Sequence, residues 1–356
     1  ATQDSRYSSR VQSKPARGFR EEPEVGGVSG AERPMAEILI GAAASCSASL
    51  LTHPIEVAKI RIQLQGELQP PVKRKDRTKQ PRLVYRNVPQ AIYTVARYDG
   101  LLAIYRGLLP GLGYQLLANG LRLGIFQIIE DFGFTLDENL EPSIRLSAIS
   151  GAVSGAVGAF AGSPLFLLKT HMQVYSATAS IAVGYQHGFL TARSAFMHIY
   201  RTQGLWNGLW RATSSNILRI STGSALQMST FIGLKTLLNT AVENRERYFF
   251  INTVLAAIMS GLISAPPIAM VDVLRARMYA QPSDSMGRGL YYRNIWDCIR
   301  KIKRTEGLRG LSKGAGGAFL YTLVTSSITL ISWDELKSAR RERRHSRDYY
   351  IDFGYQ

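Results

Sequence analysis

Long apolar segments alternate with polar, basic loops along most of this chain. A transmembrane helix needs about 20 predominantly apolar residues. We therefore expect six transmembrane helices, at residues 34–65, 108–134, 144–175, 216–238, 250–279 and 315–336. The third segment carries glycines at helical spacing, and small residues of this kind let neighbouring helices approach closely. This predicted close-packing face consists of Gly151, Gly155, Gly158 and Gly162.

A charged motif recurs late in each odd-numbered segment. It places an acidic residue, where present, three positions before a basic residue, so that the two lie near one face of a helix. The copies are Pro54-x-Glu56-x-x-Lys59, Pro164-x-Phe166-x-x-Lys169 and Asp272-x-x-Arg275, the last without proline at the matching position. A period of about 100 residues that occurs three times predicts a fold of three structural repeats.

The repeats divide the chain into five parts. We expect a disordered N-terminal extension at 1–33, repeats at 34–135, 143–240 and 248–340, and a polar C-terminal tail at 341–356. In each repeat a basic loop leads into a short amphipathic helix. A turn with glycine follows this helix, and a basic residue follows the turn. These turn elements are Asp99-Gly100 with Arg106, Gln203-Gly204 with Arg211, and Glu306-Gly307 with Lys313.

The composition limits the classes of function. The formal net charge is +17, which suits anionic lipid, anionic solutes or nucleic acid as partners. We expect no nucleic acid partner, because zinc-ligand spacings, an RNA-binding aromatic signature and a basic heptad helix are all missing. Two cysteines predict neither a disulfide framework nor a metal site. Five scattered histidines, without a nucleophile–base set or a phosphate loop, argue against an enzyme and against a cofactor.

Ionisable residues at the end of a membrane helix are costly unless they face a partner or water. Three copies of the motif around one axis predict a ring in which the acid of one helix pairs with the base of the next. Such a ring is a gate that can be broken. One copy alone would indicate only a proline-kinked helix with a solvated charge pair.

These repeats resemble the mitochondrial carrier family, whose signature is P-x-[DE]-x-x-[KR]-x-[KR]. The resemblance covers residues 35–340, and it is most specific to the oxaloacetate-carrier subgroup and its animal relatives at "EVAKIRIQLQGEL", "YRNV", "ANGLRLGIFQ" and "SPLFLLKTHMQVYSA". It implies an all-α membrane protein with six transmembrane helices in three pseudo-threefold repeats. It also implies a monomer in the mitochondrial inner membrane, with the basic loops facing the matrix and cardiolipin bound at the turn elements.

The resemblance assigns a matrix gate to the signature ring. It pairs Glu56 with Lys169 and Asp272 with Lys59, and it leaves Arg275 without an acid because Phe166 stands in that place. Two glutamines fall where the family braces its ion pairs, namely Gln63 and Gln173. Two ion pairs instead of three imply a weaker gate.

A cytoplasmic gate is implied on the even-numbered helices, where the family carries an aromatic residue, an acid and a base. Only Trp333, Asp334 and Lys337 form a complete copy. The first copy keeps Gln127 in place of the acid and has lost the base, and the second keeps the base, Lys235, without the acid. We expect this gate to open easily.

Two arginines within apolar segments, Arg122 and Arg219, are the first candidates for a substrate site. An intramembrane arginine is a functional candidate by default, and its guanidinium binds carboxylate or phosphate at two points. The alternative for each is a side chain that snorkels or bonds to backbone carbonyls. The resemblance adds contact positions at Gln115, Tyr321 and Thr322, and Asn119 lies one turn from Gln115, on the same predicted helix face. Tyr321 departs from close relatives, which carry arginine there, and this leaves the substrate open.

The function expected from these features is transport of small organic anions, oxaloacetate-like ketoacids or dicarboxylates, by alternating access and without chemistry on the substrate. The alternative is a carrier-fold protein with altered substrate or lost transport that acts as an adaptor. The third signature, which lacks proline at the matching position, and the incomplete cytoplasmic motifs favour the adaptor. Arg219 and Arg122 favour the transporter.

Overall fold

The computed structural model describes residues 32–67, 84–137, 143–241 and 245–325, with residues 328 and 332 beyond them. Helices account for nearly all regular structure in these ranges, where the β contact is an isolated bridge between Ser283 and Gly289. The described residues from Ile38 onward form one compact unit. An all-α fold is therefore observed in the described part of the chain.

Long helices occupy the predicted apolar segments. They are α1 (Glu32–Leu64), α3 (Leu108–Tyr114) continued by a π turn (Gln115–Asn119) and α4 (Gly120–Asp131), α5 (Ile144–Val174), α7 (Thr213–Ala241) and α8 (Arg245–Ala280). Residues 315–325 are also helical. Prolines lie inside three of the helices, Pro54 in α1, Pro164 in α5, and Pro266 and Pro267 in α8. Pro266 and Pro267 lie about one turn before the place that Pro54 and Pro164 occupy in their signatures. The third signature therefore has no proline at the matching position.

Two stretches have the length and apolar composition of a membrane span, Ile144–Val174 with mean hydropathy 1.5 and Ile258–Ala280 with mean hydropathy 1.3. The remaining long helices carry polar side chains inside their apolar sequence, such as Asn216 and Arg219 in α7. A helix that is polar on one face can still bury an apolar face against its surroundings. Length and hydropathy alone therefore identify only part of the predicted set of spans.

Helix α5 is the centre of the packing, with α3, α4, α7 and α8 against it. Three of its four predicted glycines explain the close approach. A Cβ on Gly158 would lie 2.4 Å from the carbonyl oxygen of Ala118, and one on Gly162 would lie 2.8 Å from the ring of Tyr114. Gly155 faces Ile220 of α7 at 3.0 Å. The close-packing face predicted from the glycine spacing is confirmed at these positions.

Three short helices pack beneath the ends of α1, α5 and α8. They are α2 (Val88–Asp99), α6 (Ala192–Gln203) and α9 (Ile295–Thr305). Each begins at a side-chain cap that accepts a backbone N–H, which is the usual device for an orphan donor, and these caps are Asn87, Thr191 and Asn294. Each ends at a glycine with positive φ, namely Gly100, Gly204 and Gly307.

Each short helix closes an apolar cluster of its own repeat. Val95 packs with Ala58 and Tyr85 in the first repeat, and Ile199 packs with Leu167 in the second. In the third repeat Cys298 and Ile302 pack with Leu274 and Met278. The glycine that follows the basic residue of the turn element has positive φ in two repeats, Gly107 and Gly314, whereas Ala212 takes that place and conformation in the second.

Gly158→Ala is expected to lower the melting temperature of the detergent-solubilised protein. The new methyl group would meet backbone rather than a flexible side chain, so α5 and the π turn must separate. Overpacking of this kind costs on the order of 1–3 kcal/mol. The matched control is Gly124→Ala on α4, where a Cβ meets nothing within 4 Å. That change should leave the melting temperature equal or slightly higher, and equal losses in both variants would contradict the close-packing account.

Candidate functional site

The signature segments of α1, α5 and α8 meet in a cluster of buried charges. Lys169 Nζ lies 2.5 Å from Glu56 Oε1, and Lys59 Nζ lies 2.6 Å from Asp272 Oδ2. The first contact joins α5 to α1, and the second joins α1 to α8. The structure thus brings together the two pairs that the resemblance implied, with all four side chains at most 12% exposed.

Asp272 is the most heavily shared group of this cluster. Besides Lys59, its Oδ1 accepts from Arg219 Nε at 2.7 Å and from Arg275 Nη2 at 3.1 Å. One carboxylate, 2% exposed, therefore holds cations from three helices, α1, α7 and α8. Removing one partner of a buried pair is strongly destabilising because it leaves an uncompensated charge. The positions of these helices consequently depend on one another through Asp272.

Phe166 gives Arg275 a partner that the sequence did not reveal. The guanidinium carbon of Arg275 lies 4.3 Å from the centroid of the Phe166 ring, a cation–π distance. Tyr114 and Tyr279 pack edge-on around the same ring, with centroids at 5.2 and 4.9 Å. Arg275 Nη1 also donates to Asn216 Oδ1 at 3.3 Å. Arg275 thus has no acid at position 166, as the sequence indicates, and it is held instead by an aromatic face and by the shared Asp272 of its own helix.

The two glutamines assigned as braces do not bond to the ion pairs. Gln63 Nε2 and both polar atoms of Gln173 are buried without a hydrogen-bond partner among the described residues. Gln63 instead packs toward Gly314, just before the helical residues 315–325. Gln173 packs toward Gly107, just before α3. Tyr279, at the third such place, donates its hydroxyl hydrogen to Ser163 Oγ at 3.0 Å. In this conformation Gln63 and Gln173 therefore contribute packing contacts rather than hydrogen bonds to the ion pairs.

A second layer of ion pairs lies next to the first, and sequence reasoning missed it. Arg61 Nη1 lies 3.1 Å from Asp99 Oδ2, and Arg106 reaches the same oxygen at 3.7 Å. In the third repeat, Arg277 and Lys313 both lie 2.5 Å from the carboxylate of Glu306. The sequence did contain a signal for this layer. In the first and third repeats, an arginine at the last position of the signature and an acid before the glycine of the turn recur at matching places.

The second repeat breaks this pattern. His171 stands where Arg61 and Arg277 stand, and Gln203 stands where the acids stand. Arg211 donates to the carbonyl of Gln281 at 3.2 Å, its Nη2 lies 2.8 Å from His171 Nε2, and no carboxylate contacts it among the described residues. His171 stacks on His187, with ring centroids 3.6 Å apart. Burial and, to a smaller extent, the nearby Arg211 together lower the pKa of His187 to about 4.

The candidate substrate residues differ in their contacts. Arg219 is bonded to Asp272, as described, while Arg122 Nε is buried without a hydrogen-bond partner among the described residues. Gln115 and Asn119 bound the π turn, and Asn119 Nδ2 donates to Gln115 Oε1 at 2.5 Å. Gln115 in turn donates to Ser49 of α1 at 3.2 Å. π turns occur frequently at functional sites.

The helical residues 315–325 contribute two further candidates. The ammonium of Lys59 lies 5.2 Å from the ring centroid of Tyr321, so Tyr321 faces the same charged cluster. Thr322 donates its hydroxyl hydrogen to the carbonyl of Ala318 in its own helix at 2.9 Å. At the cytoplasmic gate, Asp334, Lys337 and the side chain of Gln127 lie outside the described residues. The Lys235 ammonium lies 6.0 Å from the Phe231 ring centroid.

Glu67, just after α1, is a buried carboxylate of the third-repeat network. Neither of its oxygens has a hydrogen-bond partner within the described ranges. Burial raises the pKa of Glu67 to about 7, although Arg277 opposes the shift. Groups of three or more His, Cys, Asp or Glu with metal-binding geometry are not found in the described part of the chain.

Comparisons with known proteins place these features in a family. The mitochondrial carrier protein family model matches three times, at residues 30–135, 141–242 and 246–343. Solute carrier family 25 member 35 of Homo sapiens is 38% identical over 85% of this chain and 97% of its own length. The mitochondrial oxaloacetate transport protein of Schizosaccharomyces pombe is 35% identical over 80% and 84%. The mitochondrial citrate transporter E of Aspergillus niger is 30% identical over 78% and 84%.

The chain belongs to the mitochondrial carrier family. It is accordingly a transporter rather than an enzyme, and a multi-pass protein of the mitochondrial inner membrane. Within the family it resembles solute carrier family 25 member 35 and the oxaloacetate carriers. The predictions of the family, of its location and of a non-enzymatic function are confirmed.

Phe166→Leu and Arg275→Met are expected to be non-additive in melting temperature. Each removes one side of the cation–π contact, worth about 0.5–2 kcal/mol, so the second change should cost less once the first is made. The measurement is thermal unfolding of the two single variants and the double variant. Phe160→Leu, on the outer face of α5, is the control that should add independently to Arg275→Met. Strictly additive losses of melting temperature for Phe166→Leu and Arg275→Met would show that the cation–π contact does not contribute to stability.

Glu67→Gln is expected to raise the melting temperature near pH 8 and to lose this advantage as the pH falls. Glu67 titrates at about 7 when folded against an ordinary value of 4.5, so the folded protein binds more protons between these values. Stability therefore falls as pH rises through that window. Thermal unfolding from pH 5.5 to 8 measures this. Exposed Glu130→Gln is the control, and an equal pH profile in all three proteins would contradict the prediction.

Proposed function

We propose that this carrier moves small organic anions, oxaloacetate-like ketoacids or dicarboxylates, across the inner membrane by alternating access. The observation that carries the proposal is the position of Arg219, whose Nε is bonded to Asp272 of the signature cluster. Two relatives, at 35% and 30% identity, are named as transporters of oxaloacetate and of citrate. Both named substrates are carboxylates, which match a guanidinium anchor.

The charge balance of the cluster supports an anionic substrate. Four cations (Lys59, Lys169, Arg219 and Arg275) face two carboxylates, Glu56 and Asp272. Arg122 lies close enough to Arg219 for the two charges to repel. A buried excess of positive charge is costly without a counter-ion. A substrate with one or two carboxylates supplies that counter-ion between Arg122 and Arg219.

Binding of such an anion bears directly on the matrix gate. A substrate carboxylate competes with Asp272 for Arg219 Nε, because both are acceptors of the same donor. Once Arg219 turns to the substrate, α8 is held by fewer contacts to its neighbours. A ligand shifts a conformational equilibrium by its differential affinity for the two states. This exchange of partners is the proposed source of that difference.

Neutral donors on the second span complete the proposed site. Gln115 and Asn119 can rotate their amides toward a carboxylate or hydroxyl, since each is bonded to another side chain rather than to backbone. Tyr321 offers a hydroxyl where a cation is expected from relatives. We therefore propose a substrate with fewer negative charges than one bound by three arginines.

The wider arrangement belongs to the same proposal. Six transmembrane helices in pseudo-threefold order surround the site, Glu56, Lys59, Lys169, Asp272 and Arg275 form the matrix gate, and the cytoplasmic gate lies on the even-numbered helices. Exchange of one anion for another is the expected mode. The carrier acts as a monomer without nucleic acid. Cardiolipin binds at the turn elements, and Arg211, which no carboxylate contacts within the described ranges, can hold a phosphate there.

An adaptor without transport is the second candidate. It is favoured by the loss of the acid at Phe166 and by the incomplete cytoplasmic motifs around Gln127 and Lys235. The shared Asp272 and the cation–π contact of Arg275 weigh against it, because they preserve a buried interhelical network at the gate. A protein that no longer transports has no need to bury four cations there.

Oxaloacetate or another dicarboxylate is expected to raise the melting temperature of the purified protein by a few degrees, and Arg219→Ala is expected to abolish the shift. Saturation at 100 times the dissociation constant stabilises a folded protein by about 2.7 kcal/mol. Exposed Arg145→Ala is the matched control and should keep the shift. The panel includes ketoacids, dicarboxylates, citrate, phosphate and sulfate. If none stabilises the wild type, the adaptor becomes the better account.

A further inference from the structure

We propose that His53 and Glu56 form a proton-binding site whose occupancy is linked to opening of the matrix gate. The structure places an imidazole nitrogen that has a free lone pair against the carboxylate that closes the gate. This inference rests on the proposed function in one respect, namely that the signature cluster opens and closes during transport.

The hydrogen-bond partner of His53 fixes its tautomer. His53 is 1% exposed, and its Nε2 lies 3.0 Å from the backbone carbonyl oxygen of Arg106. A carbonyl oxygen only accepts hydrogen bonds, so Nε2 must carry the hydrogen. Tyr105 stacks on the ring with centroids 6.2 Å apart and an interplanar angle of 7°, which holds the ring in this orientation. Neutral His53 therefore has its lone pair on Nδ1.

That nitrogen lies near another acceptor. His53 Nδ1 lies 3.7 Å from Glu56 Oε2, one turn further along α1. The other oxygen of Glu56 is occupied by Lys169 at 2.5 Å. In the neutral form, Nδ1 and Oε2 are two acceptors that face each other without a shared hydrogen. A proton on Nδ1 converts this contact into a charge-assisted hydrogen bond, which is stronger than a neutral one.

Lys169 decides when that proton binds. It faces the pair from α5, Lys59 adds a second positive charge from α1, and Arg106 contributes its carbonyl from the turn. While the gate is closed, Lys169 already neutralises Glu56 and repels a charged imidazole. When the gate opens, Lys169 withdraws and leaves Glu56 without its cation. His53 then supplies the missing positive charge by taking up one proton, which is released again when Lys169 returns.

This device belongs to the first repeat alone. Ser163 occupies the matching place in the second repeat, where it donates to the Ala159 carbonyl at 2.7 Å and accepts from Tyr279. Ala269 occupies the place in the third repeat. Neither side chain titrates near neutral pH. The three signature segments are therefore equivalent in backbone but not in proton affinity, and protonation acts on the α1–α5 contact only.

The linkage has a definite sign. Because the open state binds the proton more tightly, a lower pH on the matrix side shifts the gate toward opening. The same linkage destabilises the closed folded state on acidification, since unfolded histidine gains its proton near 6.5 without opposition. Replacing His53 with a side chain that donates to the Arg106 carbonyl but does not titrate should remove both effects.

The first arm of the test does not depend on transport. Melting temperatures of wild type, His53→Gln, His53→Asn and His198→Gln are measured in detergent from pH 5.5 to 8. His198 is an exposed histidine of α6 and serves as the matched control. We expect wild type and His198→Gln to lose several degrees relative to both His53 variants as the pH falls. Parallel profiles in all four proteins would overturn the proposal.

The second arm uses proteoliposomes that exchange radiolabelled oxaloacetate, with the pH on the matrix-equivalent side set at 8 or 6.5. We expect the wild-type rate to rise several-fold at the lower pH, whereas His53→Gln keeps one rate at both values. A wild-type rate that is unchanged over this range overturns the proposal even if the variants do not fold. Absence of any anion exchange with the expected thermal profiles would instead reject the transport function and leave the proton site in place.

Discussion

A single buried carboxylate, that of Asp272, ties the charged centre of this protein together. It accepts from Lys59, Arg219 and Arg275 at 2.6–3.1 Å. Lys59 belongs to α1, Arg219 to α7 and Arg275 to α8, so these three helices cannot move independently while the contacts last. Desolvation offsets much of the attraction in a buried ion pair. The arrangement therefore specifies one relative position of the helices and leaves that position only moderately more stable than its alternatives, which suits an element that must open.

The three repeats share a backbone plan and differ in chemistry at matching positions. The first and third repeats join a signature arginine to an acid of the turn element, Arg61 with Asp99 and Arg277 with Glu306. The second uses stacked imidazoles and carbonyl oxygens around Arg211. Phe166 lies in that same repeat, so the substitutions cluster along α5. The pseudo-symmetric plan thus has one side where aromatic stacking replaces charge pairing.

The sequence predicted the helices well because their determinants are local. Apolar length, the caps at Asn87 and Asn294, and the glycines that end the short helices are all visible along the chain. The period of the motif predicted a ring of charges between the repeats, and the resemblance to the family supplied the two specific ion pairs. The sequence showed that Phe166 leaves Arg275 without an acid from α5, but sequence patterns do not show which aromatic ring lies beside a charge. The sharing of Asp272 by Arg219 depends on side-chain directions across α7 and α8, which no spacing along one helix encodes.

The π turn at Gln115–Asn119 has a consequence for how the second span can change. In a regular α-helix each residue advances about 100°, so positions four apart drift by about 40° around the axis. The wider turn cancels part of this drift, and Tyr114, Ala118 and Arg122 all remain against the glycines of α5. Gln115 and Asn119 remain together on the adjacent face for the same reason. A deletion of one residue here would restore ordinary helical geometry and rotate every residue beyond it, so the packing face of this segment and the adjacent face with Gln115 and Asn119 can only change together.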